Sequence, residues 1–259
     1  MKLKIVVSLV LASLLGANAP AHADKLADIK KAGVLRVAVP QDFPPFGFTN
    51  AKMETIGYDI DTAKLLADKL GVKLETTPVT SANRVPYLQA GRVDLIISSL
   101  GKNPDREKLI DFSVAYAPFF SGVYGPANTE VAKPADLSGK SLAVIGGSTE
   151  DLAITKLAPK DATIMRFGDG TATTQAFLSG QADLMVAGNV VAAAVLETKP
   201  KRIPELKINI EDSPCYIGVP KGEAALLEAV NHTIEGAIND GSLNKISQTW
   251  LHDDLPKTF

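Results

Sequence analysis

Short apolar runs alternate with amphipathic stretches along the chain, and this alternation predicts strands and helices in turn. Residues 35–39 and 73–77 have the pattern of strands, and residues 59–70 carry apolar side chains on one helical face, with Asp59 as the expected N-cap. Residues 93–97 (VDLII) form an apolar run, interrupted by Asp94, that predicts a short buried strand. Because strands and helices alternate, we expect an α/β fold with parallel sheets covered by helices.

A small polar loop, residues 98–104, follows the buried strand, and a short helix is expected to begin at Asp105. Open α/β sheets bind ligands beyond the carboxyl ends of their strands, so this loop is a candidate binding site. Two serine hydroxyls, the amides around Gly101 and the guanidinium of Arg106 would suit an anion. The alternative is a solvated loop with Arg106 at the surface.

An internal similarity indicates two lobes of related build. Residues 88–97 (LQAGRVDLII) resemble residues 177–186 (FLSGQADLMV), and both combine a helix end, a glycine and a strand. The separation of the two copies is far longer than the period of a solenoid. We therefore expect the chain to cross twice between two lobes, through a two-strand hinge. The expected parts are lobe 1 at residues 24–124 and 216–259, and lobe 2 at residues 125–215.

The N-terminus has the features of a secretory signal. A basic start is followed by an apolar stretch and an Ala-His-Ala cleavage site, so we expect cleavage after Ala23 and a soluble exported product. No later run approaches the ~20 apolar residues that a membrane span needs. Loss of Lys2 and Lys4 would move the formal net charge from −2 to −4, and no basic patch suggests nucleic acid.

Composition and motifs do not favour an enzyme. One cysteine, Cys215, excludes an intramolecular disulfide, and we expect it in a buried strand. No H-E-x-x-H, G-x-S-x-G or GxxxxGK[ST] motif occurs, and no residues have metal-ligand spacing. The histidines beyond the signal, His232 and His252, fall in the C-terminal helical region. We therefore expect no catalytic residue, no metal and no cofactor.

Two motifs resemble those of a known family. Residues 57–61 (GYDID) open the first long helix, and residues 103–106 (NPDR) are followed by residues 110–113 (IDFS). Together they resemble the extracellular solute-binding proteins of the polar amino acid class, family 3, which serve ABC importers. Thr62 departs from the pattern, because a large apolar residue is usual there. The resemblance covers the mature chain and implies a bilobal type II periplasmic binding protein fold that closes on a ligand.

The resemblance also implies which residues hold the ligand's α-carboxylate. Arg106 matches the family's arginine, whose planar fork can bind a carboxylate bidentately where a lysine could not. Ser99 and Gly101 occupy neighbouring ligand positions, and Gly101 can serve only through its amide, although many relatives have a hydroxyl residue there. Ser148 and Thr149 match the segment of the second lobe that closes over the carboxylate.

Other matches concern the ligand's side chain. Phe43 matches an aromatic that covers the apolar stem, although packing beneath a proline-rich loop would also explain it. Ser81 and Arg84 lie in a stretch like that of glutamate- and aspartate-binding members, in which a serine and an arginine hold the side-chain carboxylate. A second buried arginine would need a second anionic group. The alternative is that Arg84 opens a surface helix.

The group that would receive the ligand's α-ammonium departs from the family. Relatives usually have an aspartate just after the second-lobe strand, and this chain has Gly188 there, followed by Asn189 with only a neutral carbonyl. Either another acid such as Asp42 or Glu150 substitutes, or the cationic end of the ligand matters less. An acidic amino acid is the favoured ligand, and a dicarboxylate without an amino group is the alternative.

The expected protein is therefore a monomeric periplasmic component of an ABC importer, with a small amino acid and a membrane permease as its partners. An enzyme resembling the periplasmic cyclohexadienyl dehydratases is a competing hypothesis, and Glu150 is the obvious candidate for the general acid that it would need. A soluble sensor that docks on a membrane kinase is a third.

Overall fold

Two five-stranded sheets, each flanked by helices, organise residues 24–256, which are the residues that the computed structural model describes. The signal expected at residues 1–23 lies outside the described residues. None of the helices formed by residues 24–256 is both long and apolar enough to span a membrane.

The first lobe is built from both ends of this range. Its first part consists of α1 (Lys25–Ala32), β1 (Val34–Pro40), β2 (Phe48–Thr49), β3 (Thr55–Ile56), α2 (Tyr58–Leu70), β4 (Lys73–Val79), α3 (Arg84–Gln89), β5 (Leu95–Leu100), α4 (Pro104–Leu109) and β6 (Ile110–Ala117). The second lobe consists of β7 (Phe120–Gly125), a 3-10 helix (Pro134–Leu137), β8 (Ser141–Ile145), α5 (Thr149–Leu157), β9 (Thr163–Phe167), α6 (Gly170–Leu178), β10 (Leu184–Gly188), α7 (Asn189–Glu197) and β11 (Glu205–Asp212). The chain then returns to the first lobe as β12 (Cys215–Pro220), α8 (Ala224–Asn239) and α9 (Ser242–Trp250).

The two sheets have matching topologies. The strand order is β4-β1-β5-β12-β6 in the first sheet and β11-β7-β10-β8-β9 in the second. In each sheet three neighbouring strands run parallel, and the strands next to the crossing segments pair antiparallel. The alternation of strands and helices therefore predicts the α/β fold correctly, whereas the expectation of wholly parallel sheets is wrong.

The boundary between the lobes differs from the expected one. Strand β7 (Phe120–Gly125) pairs with β10 and β11 of the second sheet, although lobe 1 was expected to extend to residue 124. Cys215, placed in lobe 2 by the sequence, begins β12 of the first sheet and is buried there. The crossings consequently lie at residues 118–119 and 213–214. The residue pattern of a strand does not indicate which sheet the strand joins. The boundary predicted from the sequence is therefore shifted from the observed one.

The internal similarity corresponds to the same contact in both lobes. Asp94, just before β5, accepts a hydrogen bond from the amide of Arg36 at 2.9 Å. Asp183, just before β10, accepts one from the amide of Ser141 at 2.8 Å. Each carboxylate thereby joins the start of one strand to the start of its parallel neighbour.

Helix α2 begins one residue earlier than the pattern predicts, and Asp59 is not its N-cap. Gly57 precedes the helix with φ at +140°, a conformation that an L side chain rarely adopts. Asp59 is instead fully buried, and its carboxylate accepts hydrogen bonds from the amide of Ser99 at 2.7 Å and the hydroxyl of Tyr116 at 2.6 Å. This contact connects α2 to the end of β5.

Candidate ligand-binding cleft

The carboxyl ends of the parallel strands of both lobes face each other across a closed cleft. Three hydrogen bonds cross it: Arg106 Nη2 donates to the Gly147 carbonyl at 3.1 Å, and the amide of Gly170 and the hydroxyl of Thr171 donate to Asp42 at 3.1 and 2.8 Å. The cavities beside Arg84 and Glu150 measure about 30 and 10 Å³, and a wider groove of about 610 Å³ runs between the lobes past Phe43. The two small cavities are far below the ~300 Å³ of the smallest usual ligand pockets, so a ligand can reach Arg84 and Glu150 only when the lobes separate.

Arg106 connects the two lobes. It lies in α4, which begins after the N-cap Asn103, and its guanidinium donates to the Gly101 carbonyl at 2.7 Å as well as to Gly147. Burial, together with the like charge of Arg84, lowers the pKa of Arg106 to about 9. The loop is thus not a solvated one with a surface arginine, and the alternative considered for the sequence is wrong.

Arg84 is also buried, with only 3% of its surface exposed. Its Nη1 donates to the carbonyls of Ser98 and Ser99, and its Nε has no hydrogen-bond partner among the described residues. Burial lowers the pKa of Arg84, and the nearby acids Glu150 and Asp59 act against this effect. Arg84 is therefore a buried residue at the cleft, although the helix that it opens exposes Pro86 and Gln89 on its other side.

The two arginines lie side by side without a carboxylate in direct contact. Within residues 24–256, no carboxylate oxygen lies within 4.0 Å of the guanidinium nitrogens of Arg84 or Arg106. Burial raises the pKa of Asp59 to about 7, although hydrogen bonds from Tyr116 and Ser99 lower it, so Asp59 is only partly charged at neutral pH. The cleft consequently has an excess of positive charge, which suits an anion.

Three of the residues predicted for the ligand side chain meet at the cavity beside Arg84. Phe43, Ser81 and Arg84 all line it, together with Ser99. Phe43 stacks on Phe46 with ring centroids 5.9 Å apart, so packing within the lobe and a place on the cleft are both observed. Ser99 has a φ of +41°, and its amide is held by the Asp59 carboxylate.

The residues predicted for the α-carboxylate come together from both lobes. Ser148 caps α5 by accepting the Asp151 amide at 3.1 Å, so its hydroxyl already has a structural role. The side chain of Thr149 packs against Gly101, and a Cβ atom added to Gly101 would lie 2.7 Å from Thr149 Cγ2. The closed cleft thus has no room for a hydroxyl residue at position 101.

Asn189 has its side chain at the hinge. Its Oδ1 accepts a hydrogen bond from the amide of Phe120 at 3.0 Å, next to one of the two crossing segments. It lines neither cavity of the cleft. The side chain of Asn189 therefore bonds to the backbone at the hinge and does not line these cavities.

The structure adds Asp59 to the site, a residue that the sequence suggested only as a helix cap. Its position in residues 57–61, a motif of the family, was the available signal. The described part of the chain contains no group of three or more His, Cys, Asp or Glu residues placed to hold a metal ion.

Two α/β lobes, joined by two crossing segments and closed over buried charged side chains from both, define a binding protein that clamps a small molecule. The chain belongs to the bacterial extracellular solute-binding proteins, family 3, whose family model matches residues 35–253. It is therefore a solute-binding protein.

Individual relatives cover nearly the whole chain. The ABC transporter glutamine-binding protein GlnH of Bacillus subtilis (strain 168) is 29% identical over 236 residues, or 89% of this chain and 86% of the relative. The cyclohexadienyl dehydratase of Pseudomonas aeruginosa is 30% identical over 257 residues, or 95% and 93% of the two chains. The crystal structure of the ancestral amino acid-binding protein AncCDT-1, a precursor of cyclohexadienyl dehydratase, matches with a TM-score of 0.81 and 31% identity, over 87% of this chain and 99% of that chain.

Proposed function

We propose that this protein is the periplasmic substrate-binding component of an amino acid ABC importer and that it captures an acidic amino acid, such as glutamate or aspartate. Several relatives are named as binding proteins for amino acids, including glutamine, cystine and arginine. The acidic preference rests on one observation in this chain, namely the two buried arginines that face the same cleft without a carboxylate partner.

In this proposal the α-carboxylate of the ligand binds Arg106 from the first lobe. Opening the cleft frees Nη2 from the Gly147 carbonyl, so the guanidinium can present two parallel donors to the ligand. The hydroxyl of Ser99, the amide of Gly101 and the segment of Ser148 and Thr149 surround the same place. Contacts from both lobes make the ligand bind the closed state better than the open state, and this difference in affinity drives closure.

Arg84 and Ser81 receive the side-chain carboxylate. Burial of an arginine without an anion destabilises the protein by several kcal/mol. An anionic ligand group beside Arg84 therefore gains more binding free energy than it would beside an exposed arginine. Phe43 covers the apolar part of the ligand between the two carboxylates. This assignment gives Phe43, Ser81 and Arg84, the residues predicted for the ligand's side chain that line the cavity beside Arg84, a role in one ligand.

The protein is proposed to act as a monomer in the periplasm, after removal of residues 1–23 at Ala23, and to deliver its ligand to a membrane permease. A dicarboxylate without an amino group is the second candidate ligand, since both arginines would serve it equally well. Asn189 was expected near the ligand and, in this proposal, stabilises the hinge through the Phe120 amide.

Calorimetric titration of refolded, ligand-free protein with glutamate, aspartate, glutamine, arginine and glutarate tests the proposal. We expect glutamate or aspartate to bind with micromolar affinity or better, about −8 kcal/mol. Arg106→Gln should remove detectable binding of every carboxylate while leaving the melting temperature of the unliganded protein within a few degrees. Preferential binding of arginine or glutamine would contradict the acidic specificity.

A further inference from the structure

The position that carries the family's usual ammonium-binding aspartate is Gly188 in this protein, and a side chain there would require Phe119 to move. A Cβ atom built on Gly188 would lie 2.0 Å from Cζ and 2.2 Å from Cε2 of Phe119. Phe119 belongs to the crossing segment between β6 and β7, is 93% buried and packs on Phe46 of the first lobe. The aromatic ring of the hinge thus occupies the place of the missing side chain, and a carboxylate for a cation has to come from elsewhere.

Asp42 is the less suitable of the two acids that the sequence suggests. Its Oδ1 accepts the hydroxyl of Thr171 at 2.8 Å, and its backbone carbonyl accepts the amide of Gly170. Both contacts cross between the lobes. The Asp42 carboxylate therefore contributes to closure at the end of α6 and is not free to receive a ligand group in the closed state.

Glu150 is placed differently. Its side chain is 7% exposed and lines the same small cavity as Gly188, Ser148 and Phe43. In the described part of the chain, its carboxylate accepts one long hydrogen bond, from the Thr149 hydroxyl at 3.3 Å. It has no ion-pair partner within 4.0 Å among residues 24–256, although it is near enough to both buried arginines to affect their protonation. A buried carboxylate with so few partners needs a donor or a cation.

We propose that Glu150 is a specificity-determining residue that receives the cationic amino group of the ligand in place of a carboxylate at position 188. The inference rests on the proposed function, and it narrows the ligand to a carboxylate that also carries an amine. The amine of such a ligand would pair with the Glu150 carboxylate, and an amine-free dicarboxylate would leave that carboxylate without a cationic partner.

Matched pairs of ligands with and without the amine provide the test. We would titrate the wild-type protein and Glu150→Gln with glutamate and glutarate, and with glutamine and its amine-free counterpart glutaramate. The substitution keeps the size of the side chain and removes its charge. We expect the dissociation constant of the amine-containing ligand to rise roughly 30-fold, while that of its amine-free partner changes less than about 3-fold.

Asp42→Asn is the control, because it removes the charge of the other candidate acid. It should affect both members of a pair equally, since its contact with Thr171 acts on closure and not on the amine. Circular dichroism of each variant, together with the less drastic Glu150→Asp, separates loss of folding from loss of amine recognition. Glu150→Asp should give an intermediate loss that is again confined to the amine-containing ligand.

An equal effect of Glu150→Gln on both members of a pair would overturn the inference, and so would no effect on either. A wild-type protein that binds glutarate as tightly as glutamate would also overturn it, while the clamp of two arginines would stand. If glutamine and not glutamate is the ligand, the acidic preference fails, but the second pair still tests Glu150. Binding of none of the four would contradict the proposed function, and the inference would fall with it.

Discussion

A single glycine decides whether the two lobes can close completely. In the closed cleft, Gly101 has Thr149 Cγ2 on one side and Ser213 Oγ on the other, at 2.7 and 2.8 Å from the position of an added Cβ. The residue is in the first lobe, Thr149 is in the second, and Ser213 is in a crossing segment. Contacts of this kind disappear when the lobes separate, so the cost of a larger residue falls on the closed state alone.

Gly101→Ala should therefore weaken ligand binding without weakening the fold. Overpacking of this kind costs typically 1–3 kcal/mol, so we expect the dissociation constant to rise at least roughly 5-fold. The melting temperature of the unliganded protein should not change measurably. Gly236→Ala, in the middle of α8 and with no atom within 4 Å of the added Cβ, is the control and should leave affinity unchanged. Unaltered affinity in Gly101→Ala would show that the bound state is more open than the structure.

Asp59 makes the charge of the cleft depend on pH. Burial raises its pKa to about 7, so below pH 7 it is mostly protonated and the two arginines are less compensated. We expect acidic ligands to bind several-fold more tightly at pH 6 than at pH 8, measured by calorimetry in buffers of equal ionic strength. Asp59→Asn should flatten this dependence. Tighter binding of glutamate at pH 8 would contradict the account.

At the scale of single residues, the sequence identifies the residues of the family motifs that lie at the cleft. It misses the residues that hold them in position. Arg84, Arg106 and Gly101 were assigned from motifs, and all three lie at the cleft. The function of Asp59 could not be predicted, because its partner Ser99 lies 40 residues further along the chain and only folding brings them together. The capping hydroxyl of Ser148 is a local feature that a capping pattern would have revealed.

At the scale of elements, each lobe uses a carboxylate to fix the start of its central strand. Asp94 is the stronger case, because it also receives Arg36 Nη2 at 2.6 Å and Lys25 Nζ at 2.9 Å. Burial acts to raise the pKa of Asp94, but these hydrogen bonds outweigh it and hold the pKa below the usual 3.8. The counterpart in the second lobe, Asp183, is exposed, and within residues 24–256 its carboxylate accepts hydrogen bonds from Ser141 alone.

Asp94→Asn should therefore cost more stability than Asp183→Asn. We expect a loss of about 2 kcal/mol in the free energy of unfolding for Asp94→Asn and under about 1 kcal/mol for Asp183→Asn, measured with urea at pH 7. The Asp94 carboxylate has a lower pKa in the folded protein than in the unfolded chain, where the value is 3.8. It therefore stabilises the folded state above pH 3.8, and this contribution is lost as the pH falls below 3.8. The difference between wild type and Asp94→Asn should thus shrink at pH 3. Equal losses in the two lobes would show that the ion pairs contribute nothing.

The elements themselves were mostly predictable, because their periodicity is a local property. Strand 35–39 and helix 59–70 lie within one residue of the observed bounds, and strand 93–97 begins two residues and ends three residues before the observed one. The lobe to which β7 belongs was not predictable, since its partners β10 and β11 are far along the chain. The sheet that β7 joins depends on the topology of the whole chain, and the pattern of its six residues does not indicate it.

At the scale of the whole molecule, the protein is a clamp whose closure and binding are one equilibrium. Contacts of Arg106 and Asp42 hold the lobes together at the two ends of the cleft, and the hinge crosses at residues 118–119 and 213–214. The internal similarity correctly indicated two lobes, but the sequence could not show the closed arrangement. A ligand that bridges the lobes shifts the population toward the closed state by its difference in affinity for the two states.

The most direct test of the central claim is calorimetric titration of glutamate and glutamine into the wild-type protein and Arg84→Gln. Glutamine at position 84 keeps a donor for the Ser98 carbonyl and removes the buried charge. We predict that the wild type prefers glutamate and that the variant binds it roughly 100-fold more weakly, about 3 kcal/mol, with glutamine affinity changed less than about 5-fold. A wild type that prefers glutamine, or a variant that loses both ligands equally, would contradict the assignment of Arg84 to the ligand's second carboxylate.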